Sequence, residues 1–393
     1  VLASLSATTP AAGYIIDNQA TAGLLDVTFT GSGTVNSVTL KRSGISDQNT
    51  LTNVYLYDGA NRLTDGYSFN STGMITMNNL GIMVNGSKTI SVKADASGTA
   101  SNNSTIAVAL TGFTSGASVN TVNIQGNLMN LATGSSLATA SFTANTVTSA
   151  SVNAGITAYT FWSAPLQVNT RALWLKSASF RMVGSVPSDA LSNIKLFVDG
   201  VDTGKVASVM MMNGSNYAVF DFMAAPMSLT TGSHTIDVRA NVEKGSNRTV
   251  SFSLQQAADL MIMDPQVGVN VAASGTIPNN AGTITINTGS ITATNDPAFQ
   301  SLTTVTGGAS NVAIAKYKVR AYGEDVKVQS IQVLPSFPTS PTGVAGLDDV
   351  TLYFNGSQVG TQQDWTSGNL TFQLGSQMIV PAGMDSFLEV RAN

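Results

Sequence analysis

The sequence predicts an all-β fold of tandem Ig-like antiparallel β-sandwich domains, three in number, with the third incomplete at its C-terminal end. Three observations predict it. Apolar and polar residues alternate over short runs, the signature of half-buried strands. Turn signals recur every ~8–12 residues, as in sandwiches and barrels. Three motifs recur in the same order along the chain, at spacings of roughly 140–156 residues. Helical periodicity is nearly absent, and Gly supplies 36 of 393 residues.

The first motif is Val35-Asn36-Ser37-Val38-Thr39-Leu40, which returns as Leu175-Lys176-Ser177-Ala178-Ser179-Phe180 and as Val328-Gln329-Ser330-Ile331-Gln332-Val333. Each copy places apolar residues alternately around a shared Ser. The second is Leu51-Thr52-Asn53-Val54-Tyr55-Leu56-Tyr57-Asp58-Gly59, matched by 191–200 and by Val350-Thr351-Leu352-Tyr353-Phe354-Asn355-Gly356. It ends in Asp-Gly or Asn-Gly, a strong hairpin signal because both residues tolerate positive φ. The third is Ser87-Lys88-Thr89-Ile90-Ser91-Val92-Lys93-Ala94-Asp95, matched by 233–241 and again at the end of the chain, through Glu389-Val390-Arg391-Ala392-Asn393.

Beyond the third motif the first two copies run on in parallel. Thr105–Leu110 matches Thr249–Leu254, and Thr121–Ile124 has a counterpart in Gly268–Val271. These spacings set three domains at 1–133, 134–289 and 290–393. The connectors Gly134-Ser135-Ser136 and Asn279-Asn280-Ala281-Gly282 are short, so semi-rigid stacking is expected. The third copy stops at Asn393, where the next strand is expected. A sandwich without that strand presents an open edge. Two expectations follow: the native chain continues, or a neighbouring subunit supplies the strand by β-strand addition.

Composition narrows the function classes. Charged residues make up 10% of the chain, against about 25% in an average soluble protein. Its apolar stretches, such as Ile106–Leu110 and Leu260–Met263, fall far short of the roughly 18 residues that read as a membrane-spanning helix. The net charge of −4 argues against nucleic acid, whose phosphates require a basic patch. With no Cys, disulfides and cysteine-ligated metals are excluded.

Catalytic chemistry finds little support. The one histidine, His234, sits in a turn where the first copy has Lys88 and the third has Met384 or Asp385, so it reads as a surface residue. Paired carboxylates such as Asp348-Asp349 lie in polar loops, where they form turns. No phosphate-binding Gly-Lys-Ser/Thr pattern occurs. No enzyme is therefore expected. Structural calcium is the one cofactor that the loops could hold, with Asp47, Asp58, Asp189, Asp199 and Asp202 as candidates, because clustered loop oxygens suit a hard cation. Capped turns are the competing reading of those residues.

Asn-x-Ser/Thr sequons at Asn70, Asn85, Asn102, Asn103, Asn213, Asn247, Asn355 and Asn369 permit glycosylation on a cell surface. Two methionine-rich spots, Met210-Met211-Met212 and Met261 with Met263, read first as core filling and second as contact surface. Trp162 and Trp174 read as core or inter-domain packing residues.

The opening Thr8-Thr9-Pro10-Ala11-Ala12-Gly13, the run Leu51–Ala60 and the run Ser87–Asp95 resemble a repeat family of prokaryotic surface-layer (S-layer) proteins, of the kind seen in the small, reduced bacteria of the candidate phyla. The resemblance spans all three units and is strongest in the first. It implies a secreted, cell-surface structural protein that tiles the cell as an array or sheath. Its partners would be copies of itself and cell-envelope glycans. No anchoring domain is apparent in these residues. A filament subunit joined by strand donation and an adhesin stalk are the alternatives.

Overall fold

The computed structural model describes residues 1–393 apart from 98–103, 134–135, 213, 301–304, 337–346 and 366. The first domain contains β1 (Leu2–Leu5), β2 (Tyr14–Ile16), β3 (Ala22–Ser43), β4 (Leu51–Asp58), β5 (Asn61–Arg62), β6 (Met74–Met77), β7 (Ile82–Ala96), β8 (Thr105–Ser115), β9 (Ser118–Gln125) and β10 (Met129–Ala132). The long β3 serves both layers. Its first half pairs with β1 and β7, and its second half pairs with β6 and β8. Gly31 and Gly33, at φ 115° and 154°, occupy the corner where a side chain would resist the bend. Alternate residues of both halves point inward. Leu25, Val27 and Phe29 meet Val38, Leu40, Leu56, Ile90, Val92, Leu110 and Phe113 in one core. Each such side chain contributes about 1.5–3 kcal/mol on burial.

The second domain contains β11 (Thr139–Phe142), β12 (Ala150–Val152), β13 (Tyr159–Asn169), β14 (Leu173–Gly184), β15 (Leu191–Val198), β16 (Val201–Val206), β17 (Ser208–Met212), β18 (Ser215–Asp221), β19 (Met227–Leu229), β20 (Gly232–Val242), β21 (Thr249–Leu254), β22 (Leu260–Asp264), β23 (Val269–Val271), β24 (Ala273–Gly275), β25 (Asn279–Asn280) and β26 (Ile284–Ile286). One sheet runs β16-β15-β20-β13-β11-β24; the facing sheet runs β12-β26-β21-β14-β18-β17. The path that β3 takes in one piece is here divided into β13 and β14, and the chain turns at Thr170, φ 75°. Trp162 is fully buried between Phe142 and Phe180, at ring-centroid distances of 5.7 and 4.8 Å. Its indole N–H donates to the Asn279 carbonyl at 2.9 Å, which satisfies the one polar group it takes into the core.

The third domain contains β27 (Ser290–Asn295), β28 (Val312–Tyr322), β29 (Val326–Lys327), β30 (Ser330–Val333), β31 (Val350–Phe354), β32 (Ser357–Gln363), β33 (Leu370–Gln373), β34 (Ile379–Val380) and β35 (Asp385–Ala392). One five-stranded sheet runs β27-β28-β35-β31-β32 and faces two strand pairs, β29–β34 and β30–β33. β30 is the counterpart of the second half of β3 and of β14, which pair on both edges. Among the described residues β30 pairs with β33 alone. Among the described residues no strand pairs with its other edge, and Ile331 and Val333 stay half-buried.

The fold is all-β, and α-helix is absent from the described residues. Among those residues one 3₁₀ turn occurs, at Ala257–Asp259, and no helix is long and apolar enough to cross a membrane. Three local expectations are corrected. Asn279–Gly282 is not a connector: β25 pairs with β21, and Asn279 is fully buried in the second domain. The crossing to the third domain lies between Ile286 and Ser290. Trp174 is not a core residue but stands 40% exposed on β14. Strand register places Ser386, not Met384 or Asp385, opposite Val319, as His234 lies opposite Leu166 and Lys88 opposite Phe29.

Candidate functional site

The chemistry of this chain concentrates where its domains meet. β4 and β7 of the first domain, and their counterparts β15–β20 and β31–β35, carry the same outward face three times. In each, a cation lies 4.4 Å from the centre of an aromatic ring: Lys93 over Tyr57, Arg239 over Phe197 and Arg391 over Tyr353. At one end of each face a residue with positive φ (Thr21, Ala158, Asn311) donates its backbone N–H to the side chain that closes the third motif (Asp95, Asn241, Asn393), at 2.8, 3.0 and 2.7 Å. A second positive-φ residue, Asn53, Asn193 or Asp349, stands beside it. The repeat therefore preserves a built surface, not only a core pattern.

In the first domain that surface is buried against the second. Tyr55 and Tyr57 pack with Met261 and Ala258 in a small apolar cluster. Beside them Arg62 of β5 donates through Nη2 and Nε to one Asp259 carboxylate oxygen, at 2.5 and 3.2 Å. The other oxygen accepts the backbone N–H groups of Gln255 and Gln256, at 3.2 and 3.0 Å. Arg62 also donates to the Thr64 carbonyl and to Asp65, and Gln256 donates to the same Asp65 oxygen at 2.6 Å. Burial opposes the Arg62 cation, but the adjacent carboxylate outweighs it and the guanidinium pKa is raised. For Asp259 burial pushes the carboxyl up against the pull of Arg62. Four donor contacts on its two oxygens match the ionised form.

Tyr55 donates its hydroxyl to Asp95 at 3.1 Å. Burial, then the neighbouring Asp95 charge, raises its pKa far above the phenol range. Burial likewise raises Asp95. The seam continues along a backbone bridge between Gln19 and Val271, where Asn270 donates to the Thr21 hydroxyl at 2.9 Å.

A second clamp holds the strand that enters the second domain. The Asp264 carboxylate, inaccessible to solvent, accepts from the Ala138 backbone N–H at 2.9 Å and from Arg171 Nε at 2.8 Å. The Gln266 and Val267 amides add to it, and Arg171 also donates to the Ser136 carbonyl. Burial alone would raise the Asp264 carboxyl; these donors outweigh it and hold it below the usual carboxylate range. Between the second and third domains Arg320 pairs with Glu243 at 3.1 Å, and Gly245 donates to the Gly323 carbonyl at 2.7 Å.

The calcium candidates do not converge. Asp58 pairs with Lys88 at 2.6 Å and Asp199 with His234 at 2.7 Å, each from the turn that ends the second motif to the neighbouring strand, β7 or β20. Asp202 pairs with Lys195 at 2.7 Å, Asp189 pairs with Lys244, and Asp47 accepts from the Asn49 N–H at 2.8 Å. Among the described residues no group of three or more acidic or histidine side chains could hold a metal ion. Asp349 accepts from Gln362 and Asn393 as a turn residue.

The described sequons are exposed. Asn70 uses its side-chain oxygen for its own turn, accepting from Thr72 and Met74; Asn355 accepts from Phe387; Asn85, Asn247 and Asn369 lie on the surface. Asn102, Asn103 and Asn213 lie outside the described residues, as do Gly134 and Ser135 of the first connector. Core filling is overturned for Met261, which lies in the inter-domain seam. Met212 joins Tyr217 and Val219 in a separate small cluster, and Met211 is exposed.

Sequence reasoning missed both clamps, because the Arg62 and Asp259 positions are 197 residues apart. One signal was present. Where the first copy has Thr111-Gly112 within β8, the second has the longer segment Gln255–Asp259 between β21 and β22, and that insertion carries the seam carboxylate.

No protein-family model and no curated protein matches the chain. Among solved structures it is similar to the calcium binding domain CBD12 of CALX1.1, with 8% identity over 72% of this chain and 99% of that one, at a TM-score of 0.20. It is also similar to BcpA, the major pilin subunit of Bacillus cereus, with 8% identity over 86% of this chain and 96% of that one, at a TM-score of 0.17. The I9–I11 tandem from titin is similar at 9% identity, over 100% of this chain and 90% of that one, at a TM-score of 0.14. Likenesses this distant say nothing of what the chain binds.

Proposed function

We propose that this chain is an extracellular structural protein, not an enzyme, whose copies assemble into a surface layer or sheath on the cell. The observation that carries the reading is the first inter-domain seam. It joins two sandwiches through a buried ion pair, an apolar cluster and a backbone bridge. Such a seam fixes the angle between domains, and a fixed angle is what a repeating array requires of its subunit. The low charge supports the same reading, since little mutual repulsion keeps copies apart. The S-layer resemblance of the repeat motifs points the same way.

One observation favours a second reading, a filament subunit joined by strand addition: among the described residues β30 pairs on one edge. In that reading another copy supplies the strand in the position of β8; in the first reading it need not.

Sedimentation velocity over a range of chain concentrations, with and without calcium, tests the proposal. Reversible growth into large species with no added ligand is the expected result. A single small species at every concentration and in both conditions would overturn it.

A further inference from the structure

The two junctions between domains are held by different forces. At the first, the ion pair is buried: the Arg62 and Asp259 side chains are 6% and 0% exposed. Tyr55, Tyr57, Met261 and Ala258 pack beside it. Salt screens a buried pair little, and parting these domains also exposes apolar surface to water.

At the second junction the bridging charges are accessible. Arg320 of the third domain reaches Glu243 of the second, and the two side chains are 27% and 23% exposed. Each also has a partner in its own domain. Arg320 donates to Asp385 at 3.2 Å, Asp385 holds Lys318 at 2.8 Å, and the Ser192 hydroxyl donates to Glu243 at 2.6 Å. When the domains part, both charges keep a partner and gain water, so the bridge is cheap to break. It also weakens with salt, because the screening length falls from about 30 Å at 0.01 M to about 3 Å at 1 M.

The backbone there suits a pivot. The connector is Asn287-Thr288-Gly289, and a parallel bridge joins Lys244 to Gly323. Gly245 and Gly323 have φ of 109° and 89°, which glycine adopts without a steric penalty. A Cβ on Gly323 would lie 2.9 Å from the Gly289 Cα, and one on Gly155 would lie 2.9 Å from the Tyr322 ring. Glycines thus bring the two domains together through backbone and one ring. Among the described residues Tyr322 is the third-domain side chain that packs on the second domain's core. Beside the contact an open cleft of about 370 Å³, with Pro187, Lys244, Arg248 and Glu324 in its walls, gives the third domain room to tilt. Small polar contacts between domains permit relative motion, and a few residues at the ends of elements absorb it.

We infer that the contact between the second and third domains is a hinge, closed by the Arg320–Glu243 pair and loosened by salt, whereas the first and second domains move as one body. The hinge is a property of the single chain and holds whether or not copies assemble.

The chain has no cysteine, so spin labels can be placed on the full-length protein by single substitutions. Val183→Cys with Ile379→Cys spans the second junction, and Val119→Cys with Val183→Cys spans the first. All three positions are exposed, and none takes part in either contact. Each labelled chain is diluted into unlabelled chain, so distances between copies do not enter. Double electron–electron resonance is recorded at about 0.01 M and about 1 M salt, the two screening limits. High salt should broaden and shift the distances across the second junction and leave those across the first unchanged. Arg320→Ala at low salt should reproduce the high-salt distances. Glu243→Gln, made in the other domain, should do the same, which separates loss of the pair from a folding defect in either variant. Distances across the second junction that stay as narrow as those across the first at both salt concentrations overturn the hinge. Salt broadening that neither variant reproduces overturns the role of the pair, and equal broadening at both junctions overturns the single body of the first two domains.

Discussion

Replacing Arg62 by Ala probes the seam most sharply. The substitution leaves the Asp259 carboxylate without solvent contact and with only the Gln255 and Gln256 amides as donors. Removing one member of a buried ion pair costs about 3–5 kcal/mol. Asp259→Asn should cost less, about 1.5–3 kcal/mol, the range for a hydrogen bond to a charged group. The reason is that Arg62 retains the Thr64 carbonyl and the largely exposed Asp65. The two changes remove the same contact, so Arg62→Ala with Asp259→Ala should cost less than the sum of the single Ala variants, with a coupling of about 1–3 kcal/mol. Urea unfolding followed by tryptophan fluorescence and by circular dichroism is the assay. Trp162 and Trp174 report the second domain and Trp365 the third, while circular dichroism reports every sheet including those of the first domain, so the variants should separate the two curves where the parent chain keeps them together. Single substitutions that cost under about 0.5 kcal/mol, the size of an ordinary surface change, or costs that simply add, would refute a coupled seam.

Three further outcomes follow from the geometry. Trp162→Ala should destabilise the second domain by about 3–5 kcal/mol, as a large aromatic is lost from a packed core, measured by denaturant unfolding; a loss under about 1 kcal/mol would contradict the packing. Asp264 titrates below its unfolded range. Its contribution is therefore fully present above about pH 3.9, the unfolded value, and is lost as pH falls through the lower folded value. Asp264→Asn should flatten that part of the stability profile, and an unchanged acid limb would contradict the clamp. His234 is raised, with burial opposing and Asp199 and the Thr230 carbonyl outweighing it. Its contribution is present below about pH 6.5 and is lost as pH rises through the folded value. NMR titration of this single histidine should show a raised pKa that falls in Asp199→Asn, and a value unchanged by that substitution would contradict the pair.

Much of the fold is legible in the sequence because strands and hairpins are local. Val38 and Leu40 alternate with polar neighbours, and Asp199-Gly200 and Asn355-Gly356 adopt the positive φ that their turns require. What is not legible is long-range. Gly31 and Gly33 let β3 run through both sheets without a break, whereas the second domain turns at Thr170, and no local pattern distinguishes these two solutions. Trp174 and Trp162 look alike in sequence, yet register sends one outward and the other into the core. The aspartates of the loops are legible as turn residues; Lys195 reaches Asp202 across the same β15–β16 hairpin, but Lys88, His234 and Lys244 come from elsewhere in the fold. The seam is the extreme case, since Tyr55 and Tyr57 look like strand residues with one face too many, and only the packed second domain shows what covers that face.

The central claim, that copies of this chain build an ordered array, is tested most directly by electron microscopy of the full chain, concentrated with and without calcium. Sheets, tubes or filaments with a regular repeat are the predicted result, and their symmetry separates a layer from a fibre. Monodisperse rods at every concentration in both conditions would contradict it.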